Sequence, residues 1–385
     1  MKIVHIGTST MPIRLHRGGA VERRMIELAR AQAAAGHEVQ VFSGEDTAAR
    51  RTADGVRYEA VKLRLPRPYR DYEFLVGVHG RLGGQRPDII HAHNAPEIGR
   101  LSKRLRVPAV YSFDYFRLAA TRWALGRTHY RRSLAAYSTL LPVSAACGRE
   151  FSEFWAPSPG PMTVFYNGVN LDQFRPDPDA AFRTKEKHGL LGSTVVLYVG
   201  RVCEQKGADL LLDAWESVRR EHPTATLVFA GPIGQFTGSA SESPLTLRLR
   251  SMEGVYLGAV PDEELNAVYN MCDVFAMPTR QDEMFGMAAL EAQACGKPVV
   301  ASRLGGLSES VGEASGEFFT PGDRVELAAA LRALLESPER RIRMGSAALE
   351  HARRFCWTRL ARRSLDIYGS ALSAADGRAP GRRPA

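Results

Sequence analysis

Short apolar, β-branched runs recur along this chain without polar alternation, and stretches of helical periodicity separate them. A strand with one wet face alternates apolar and polar residues, so unbroken runs call for a parallel sheet covered by helices on both faces. The first run is KIVHIG at 2–7. It is followed by Val21, Met25, Leu28, Ala31 and Ala35 along one helix face, a stop at Gly36, and the strand EVQVFS at 38–43. That is a βαβ unit. DIIHAH (88–93), PAVYSF (108–113), TLLPVS (139–144) and TVFYNG (163–168) continue the pattern.

Periodicity disappears in NLDQFRPDPDAAFRTKEKHG, where Pro176 and Pro178 flank charged residues, and resumes with VVLYVG at 195–200. The strands ATLVFAG, VFAMPT and PVVAS then alternate with the helical stretches GADLLLDAWESVRR, DEELNAVYNMC and GMAALEAQACG. At roughly 150 residues per domain, 385 residues accommodate two domains or three. The expected fold is α/β, with two doubly wound, parallel-sheet, Rossmann-like domains over residues 1–175 and 191–355 and a linker over 176–190. A helix over 356–375 is expected to pack back toward the first domain, ahead of a flexible tail over 376–385. Two such domains would face a cleft at the carboxyl ends of both sheets and close about the linker.

Apolar residues at 44 % and charged residues at 24 % exclude wholesale disorder and collagen-like structure. No apolar run reaches the roughly 18–20 residues that span a bilayer, and MKIVHIGTST lacks a leader pattern, so a cytoplasmic protein is expected. Cys147, Cys203, Cys272, Cys295 and Cys356 are odd in number and widely spaced, so neither a disulfide framework nor a CxxC metal site is indicated, and they read as buried thiols. The net charge of +9 suits an anionic ligand, but part of it sits in the terminal GRAPGRRPA, and nucleic acid is not implied.

Two segments carry chemistry. In PTRQDEMFGMAALEAQACGKPVVAS, Glu283 follows a strand, and Glu291 falls about two turns into a helix that begins near Phe285 or Gly286. Met284, Phe285, Gly286 and Met287 would present free backbone N–H groups at that helix start, which favours a phosphate or a sugar oxygen. Alone, the two carboxylates read equally as a first-turn residue and a solvated one. In GRVCEQKG at 200–207, Arg201 and Lys206 lie between two glycines at a strand's carboxyl end, where they either hold a diphosphate or are simply solvated.

Together these segments resemble glycosyltransferase family 4, the retaining GT-B enzymes that use nucleotide-activated sugars. The resemblance extends to Gly18-Gly19 before the first helix, GHEVQVF, DIIHAH, YNGVNLDQFRP, GRVCEQKGADLLLDAW and VYLGAVPDEELNAVYNMCDVFAMPT. It implies that the first domain binds the acceptor and the second the nucleotide-sugar donor. Arg201 and Lys206 would then hold the donor diphosphate, Glu283 the hydroxyls of the transferred sugar, and Glu291 the ribose. The backbone of Met284, Phe285, Gly286 and Met287 would contact sugar and phosphates, and the base, by default uracil, would lie near Gly258, Ala259 and Val260. Gly18 and Gly19 would let the first loop approach donor and acceptor closely. The resemblance also implies retention: the acceptor hydroxyl attacks the face that the nucleoside diphosphate leaves, giving an α-glycosidic bond without an enzymic nucleophile.

The chain departs from the family at one position. Where the VPxVxTxH strand carries histidine, VPAVYSFD has Asp114, which reads as a contact to acceptor or donor sugar, a cation ligand or a structural cap. His91 and His93 share one strand face, and His93 or Asn94 at the strand's end would reach the acceptor or serve as a core or rim residue. No third ligand at metal-site spacing accompanies the histidines, and the DxD string Asp177–Asp179 lies in the linker. No metal or other cofactor is therefore expected; Arg201 and Lys206 would neutralise the leaving group. Acidic residues near the expected acceptor face, Asp114, Asp282, Asp71 and Glu73, suit an amine-bearing small molecule such as an aminocyclitol or amino-sugar antibiotic intermediate. The alternatives are polysaccharide or glycolipid acceptors, a nucleotide-sugar epimerase of the same fold, and a non-catalytic nucleotide-sugar-binding protein. RWALGRTHYRRSLAAY (122–137) reads as a packed helix with a basic edge or as a membrane-surface helix. A dinucleotide oxidoreductase is disfavoured, because no GxGxxG follows the first strand.

Overall fold

The computed structural model describes residues 1–9, 19–45, 49–66, 69–82, 84–114, 124–234, 244–281 and 283–377. They form two units. One comprises Met1–Gly168 with the segment from Trp357 onward, the other Val169–Cys356. In the first unit the strands are β1 (Lys2–Ile6), β2 (Glu38–Glu45), β3 (Ala49–Ala53), β4 (Val56–Lys62), β5 (Ile89–His93), β6 (Ala109–Phe113) and β7 (Thr139–Pro142). They lie in the order β3-β4-β2-β1-β5-β6-β7. All neighbours are parallel except β3 and β4, which form an antiparallel edge hairpin turning at Asp54-Gly55. The order reverses at β1, between β2 and β5, so the ligand-binding crevice of such a sheet falls at the carboxyl ends of β1 and β5.

The second unit holds β8 (Thr194–Val199), β9 (Ala225–Ala230), β10 (Gly254–Tyr256), β11 (Val274–Met277), β12 (Val299–Ser302) and β13 (Gly316–Phe319). The order β10-β9-β8-β11-β12-β13 is parallel throughout, with its reversal between β8 and β11. Its core packs Leu211, Trp215 and Val218 of one helix and Leu327, Leu331 and Leu334 of another against Val196, Leu227 and Val274 of the sheet.

Three expectations are corrected. TVFYNG is not a strand; it follows β7 only through a bridge at Met162 and single backbone bonds at Thr163 and Phe165. The stretch 176–190 is not an irregular linker, because Pro178–Lys187 is a helix of the second unit. Pro178 opens it where no N–H is needed, and Asp177 caps it by accepting from the Ala180 N–H at 2.8 Å. Only Ala180 of this helix is buried, and its neighbourhood is held by polar contacts, such as Lys185 to Asp273 at 2.9 Å and the Asp177 N–H to Asn270 at 2.8 Å. That explains the missing apolar periodicity. The unit boundary accordingly falls at Gly168/Val169 rather than near residue 175.

The helix Trp357–Ala375 belongs to the first unit, where Trp357, Leu360, Ala361 and Tyr368 join the core with Met25 and Leu28. A buried polar network ties it to the sheet. His91 Nδ1 and the Tyr368 hydroxyl are 2.6 Å apart, and His91 Nε2 lies 2.7 Å from Ser112 Oγ. His5 bonds Gln32 Oε1 at 2.7 Å and His93 Nε2 at 2.9 Å, while Gln32 Nε2 donates to Ser364 and Tyr368. Burial pushes all three imidazoles down, His5 to about 4. A histidine whose folded value lies below its unfolded one stabilises the fold fully above about pH 6.5 and loses that contribution as the pH falls toward the folded value. The melting temperature is expected to drop between pH 6.5 and pH 4, with His5 alone contributing on the order of 3 kcal/mol. His5→Gln should flatten that limb; a calorimetric pH series checks it. Asp177→Ala should cost the second unit about 1 kcal/mol, read by urea unfolding.

Candidate active site

In the second unit both chemistry-bearing segments follow strands at the point where the strand order reverses. Residues 200–207 follow β8 and residues 278–286 follow β11. The two loops are bonded together: the Arg280 N–H donates to the Gln205 carbonyl at 3.1 Å, and Arg280 Nη1 meets Asp209 at 2.5 Å. Gly207, at φ +73°, makes the approach possible, since a Cβ there would lie 1.8 Å from the Pro278 carbonyl oxygen. Lys206 Nζ then reaches Glu283 Oε2 at 2.6 Å, with side chains 27 % and 14 % exposed. The Glu283 carbonyl is fixed by the Gly306 N–H at 2.9 Å. Arg201 is half-buried, and its carbonyl accepts from the Tyr198 hydroxyl at 2.6 Å.

The helix after Glu283 starts at Met287, capped by Gly286 at φ +91°, so Glu291 lies one turn in rather than two. Phe285 is drawn into the core against Phe355, which keeps residues 284–286 out of the helix, while Met284 and Met287 stay half-buried. Glu291 is itself buried and accepts from the Tyr269 hydroxyl at 2.8 Å. Ala259 is exposed and Val260 half-buried, just beyond β10, where the Gly258 carbonyl accepts from the Gly231 N–H. Asp209, Arg280 and Tyr269 were not singled out from the sequence; only their partners across the fold give them meaning.

In the first unit, Asn94 and Asp114 follow β5 and β6 and clasp each other. The Asn94 amide donates to Asp114 Oδ1, and the Asp114 N–H donates back to Asn94 Oδ1 at 3.1 Å. Asn94 adopts φ +49°, which its short amide side chain tolerates. His93 is fully buried, and its ring stacks on His91 at 4.1 Å between centroids. Gly19 precedes the helix Ala20–Ala34. The carboxylate of Glu22 folds back onto that helix start, where Gly19 and Glu22 donate their backbone N–H groups to it; desolvation nonetheless raises its pKa. Gly18 and Asp282 lie outside the described residues.

Other expected features have structural roles. Contrary to the expectation that no third ligand accompanies His91 and His93, the fold brings in His5 from another strand, and one ring nitrogen of each of the three lies within 4.8 Å of the others. The ring nitrogens of His5 and His91 are all hydrogen-bonded within the chain, so His93 Nδ1 is the one without a partner. Asp177 is a helix cap, and Asp179 is an exposed first-turn residue of the same helix. Tyr130, on the helix Ala124–Leu134, stacks on the buried Trp155 at 5.4 Å, while Arg127, His129 and Arg132 are exposed. Cys147, Cys203, Cys272 and Cys295 are buried thiols, and Cys356 is half-buried. Among the described residues no helix is long and apolar enough to cross a membrane.

Comparison with known proteins agrees with this architecture. Residues 17–173 match the family described as Glycosyltransferase Family 4, and residues 182–351 match Glycosyl transferases group 1. A D-inositol 3-phosphate glycosyltransferase of Kineococcus radiotolerans is 31 % identical over 92 % of this chain and 91 % of its own length. The enzyme of the same name from Corynebacterium kroppenstedtii is 34 % identical over 60 % of this chain and 53 % of its own length, so the match spans about half of that relative. Among solved structures, Anabaena HepE in complex with UDP and glucose aligns with a TM-score of 0.76 at 21 % identity, covering 96 % of this chain and 100 % of that one. Two α/β units matched in order by the Glycosyltransferase Family 4 and Glycosyl transferases group 1 families, and a relative 31 % identical along nearly the whole chain, make this chain a glycosyltransferase of the GT-B fold that belongs to the group 1 / family 4 glycosyltransferases.

Proposed function

We propose that the enzyme transfers a sugar from a UDP-sugar, with retention and without a metal, to a hydroxyl of a small polyol or cyclitol acceptor. The observation that carries this reading is the contact of Lys206 with Glu283 at the reversal point of the second sheet, with Arg201 in the same loop. Each of these two side chains holds the other. When donor arrives, Lys206 turns to the diphosphate with Arg201, and Glu283 takes hydroxyls of the sugar. The helix start at Met287 adds backbone N–H groups to the same charge. Departure of the nucleoside diphosphate is then assisted by fixed positive charge, the departing phosphate oxygen accepts the proton of the attacking hydroxyl, and the protein contributes position and electrostatics. Glu291 bonds the ribose hydroxyls from its buried position beside Tyr269.

UDP and glucose bound to HepE support the donor, and the names of the two relatives support a cyclitol acceptor. An amine-bearing acceptor draws less support. Asp71 accepts from the Ser9 hydroxyl, Glu73 accepts the Arg64 and Leu65 N–H groups, and one Asp114 oxygen is engaged by Asn94.

Lys206→Met is expected to lower kcat by about 10²–10³-fold, as for loss of one transition-state donor, with a smaller change in donor KM. Glu291→Gln should mainly raise donor KM, by about tenfold. Both are read by UDP release, and the anomeric coupling of the product by NMR tests retention. Activity should survive EDTA; loss that Mg²⁺ or Mn²⁺ restores would overturn the metal-free reading.

A further inference from the structure

Among the described residues two ion pairs join the segments that follow β8 and β11, and they run in opposite senses. Lys206 after β8 meets Glu283 after β11 at 2.6 Å. Asp209, three residues beyond Lys206, meets Arg280, three residues ahead of Glu283, at 2.5 Å. The transfer asks different things of the two pairs. Donor draws Lys206 to the diphosphate and Glu283 to the sugar, so the first pair must open. Nothing in that step calls on Asp209 or Arg280.

The surroundings of the second pair suit a lasting bond. Asp209 lies in the first turn of the helix Ala208–Glu221, where the helix dipole favours a carboxylate. Its side chain is 21 % exposed and that of Arg280 33 %, so salt screens the pair less than it would a fully exposed one. The main chain reinforces it. The Arg280 N–H donates to the Gln205 carbonyl at 3.1 Å, and the Thr279 hydroxyl donates to the same carbonyl at 3.3 Å. Arg280 thus grips the loop after β8 through both its backbone and its side chain. Asp209 uses one oxygen for this, and Oδ1 is buried without a partner, so the contact depends on charge rather than on a bidentate fork. A loop held by Lys206 and Glu283 alone would come loose when those side chains turn to the donor, and the entropy of ordering it again would oppose binding.

We infer that Asp209 and Arg280 are a positioning pair, which keeps the two loops joined after Lys206 and Glu283 part, so that Arg201, Lys206 and Glu283 reach the donor from a fixed backbone. Neither member touches substrate. The inference rests on the transferase reading above and specifies how its donor site stays assembled.

The test has two arms on the full chain. In the first, without nucleotide, hydrogen exchange over residues 278–284 is followed by mass spectrometry in wild type, Asp209→Asn, Lys206→Met and the double variant. Either single change should alter exchange by less than about threefold, because the other pair still holds, and the combination should raise it about tenfold or more. A double variant that exchanges no faster than Lys206→Met would overturn the inference. In the second arm, Asp209→Asn should bind UDP about tenfold more weakly than wild type. Arg280→Lys keeps the charge of a one-point contact and should stay within about threefold of wild type. Undiminished UDP affinity in Asp209→Asn, or a loss in Arg280→Lys as large as in Asp209→Asn, would each overturn it. Melting temperatures without ligand report that the variants are folded; should Asp209→Asn not fold, Arg280→Gln takes its place in both arms. If UDP does not bind wild type, the donor reading falls, and the exchange arm still decides whether the pair joins the loops.

Discussion

A parallel sheet returns the chain to the same edge after every strand, so the loops that leave its carboxyl edge gather polar groups the core cannot hold. In the second unit β8 and β11 are neighbours although far apart in sequence, and the loops after them meet at that edge. Gly207 against the Pro278 carbonyl, Arg280 against Asp209, and Lys206 against Glu283 all depend on this adjacency. The first unit repeats the arrangement with β5 and β6, whose ends place Asn94 and Asp114 in reciprocal contact.

Buried polarity is the second theme. The first unit encloses three imidazoles, a guanidinium and an amide beneath its sheet, where a polar group without a partner is expensive. Most of these groups satisfy one another, and the partners come from both ends of the chain: His5 and Gln32 near the start, Ser364 and Tyr368 near the finish. The terminal helix is therefore held by hydrogen bonds as well as by Trp357 and Leu360. Arg24 stands out because the same accounting leaves two of its nitrogens open.

Much of the fold was legible because it rests on local pattern. The unbroken runs at 2–7, 38–43, 88–93, 108–113, 195–200 and 225–231 all contain strands, since a strand covered on both faces has no polar positions to spare. The elements that were missed lack that signal. β3 is almost wholly exposed and reads ARRTA, β10 has three residues, and the helix Pro178–Lys187 buries a single alanine. The helix start near Glu283 was displaced because Phe285 is claimed by a core contact with Phe355, which no local pattern announces.

The sequence by itself determined the class of the fold, the order of most of its buried parallel strands, the family and the two loops that meet at the edge of the second sheet, because strand burial, helix periodicity and loop glycines are encoded within a few residues of one another. Tertiary structure alone decided which side chains meet. That Lys206 pairs with Glu283, that Asp114 is clasped by Asn94, and that Arg24 lies buried with two unpartnered nitrogens depend on distances between elements remote in sequence. Periodicity marked neither Arg24 nor Gln32 as buried, because a helix face is classed by its apolar members, while the cost of a buried charge appears only once the surrounding elements have closed over it.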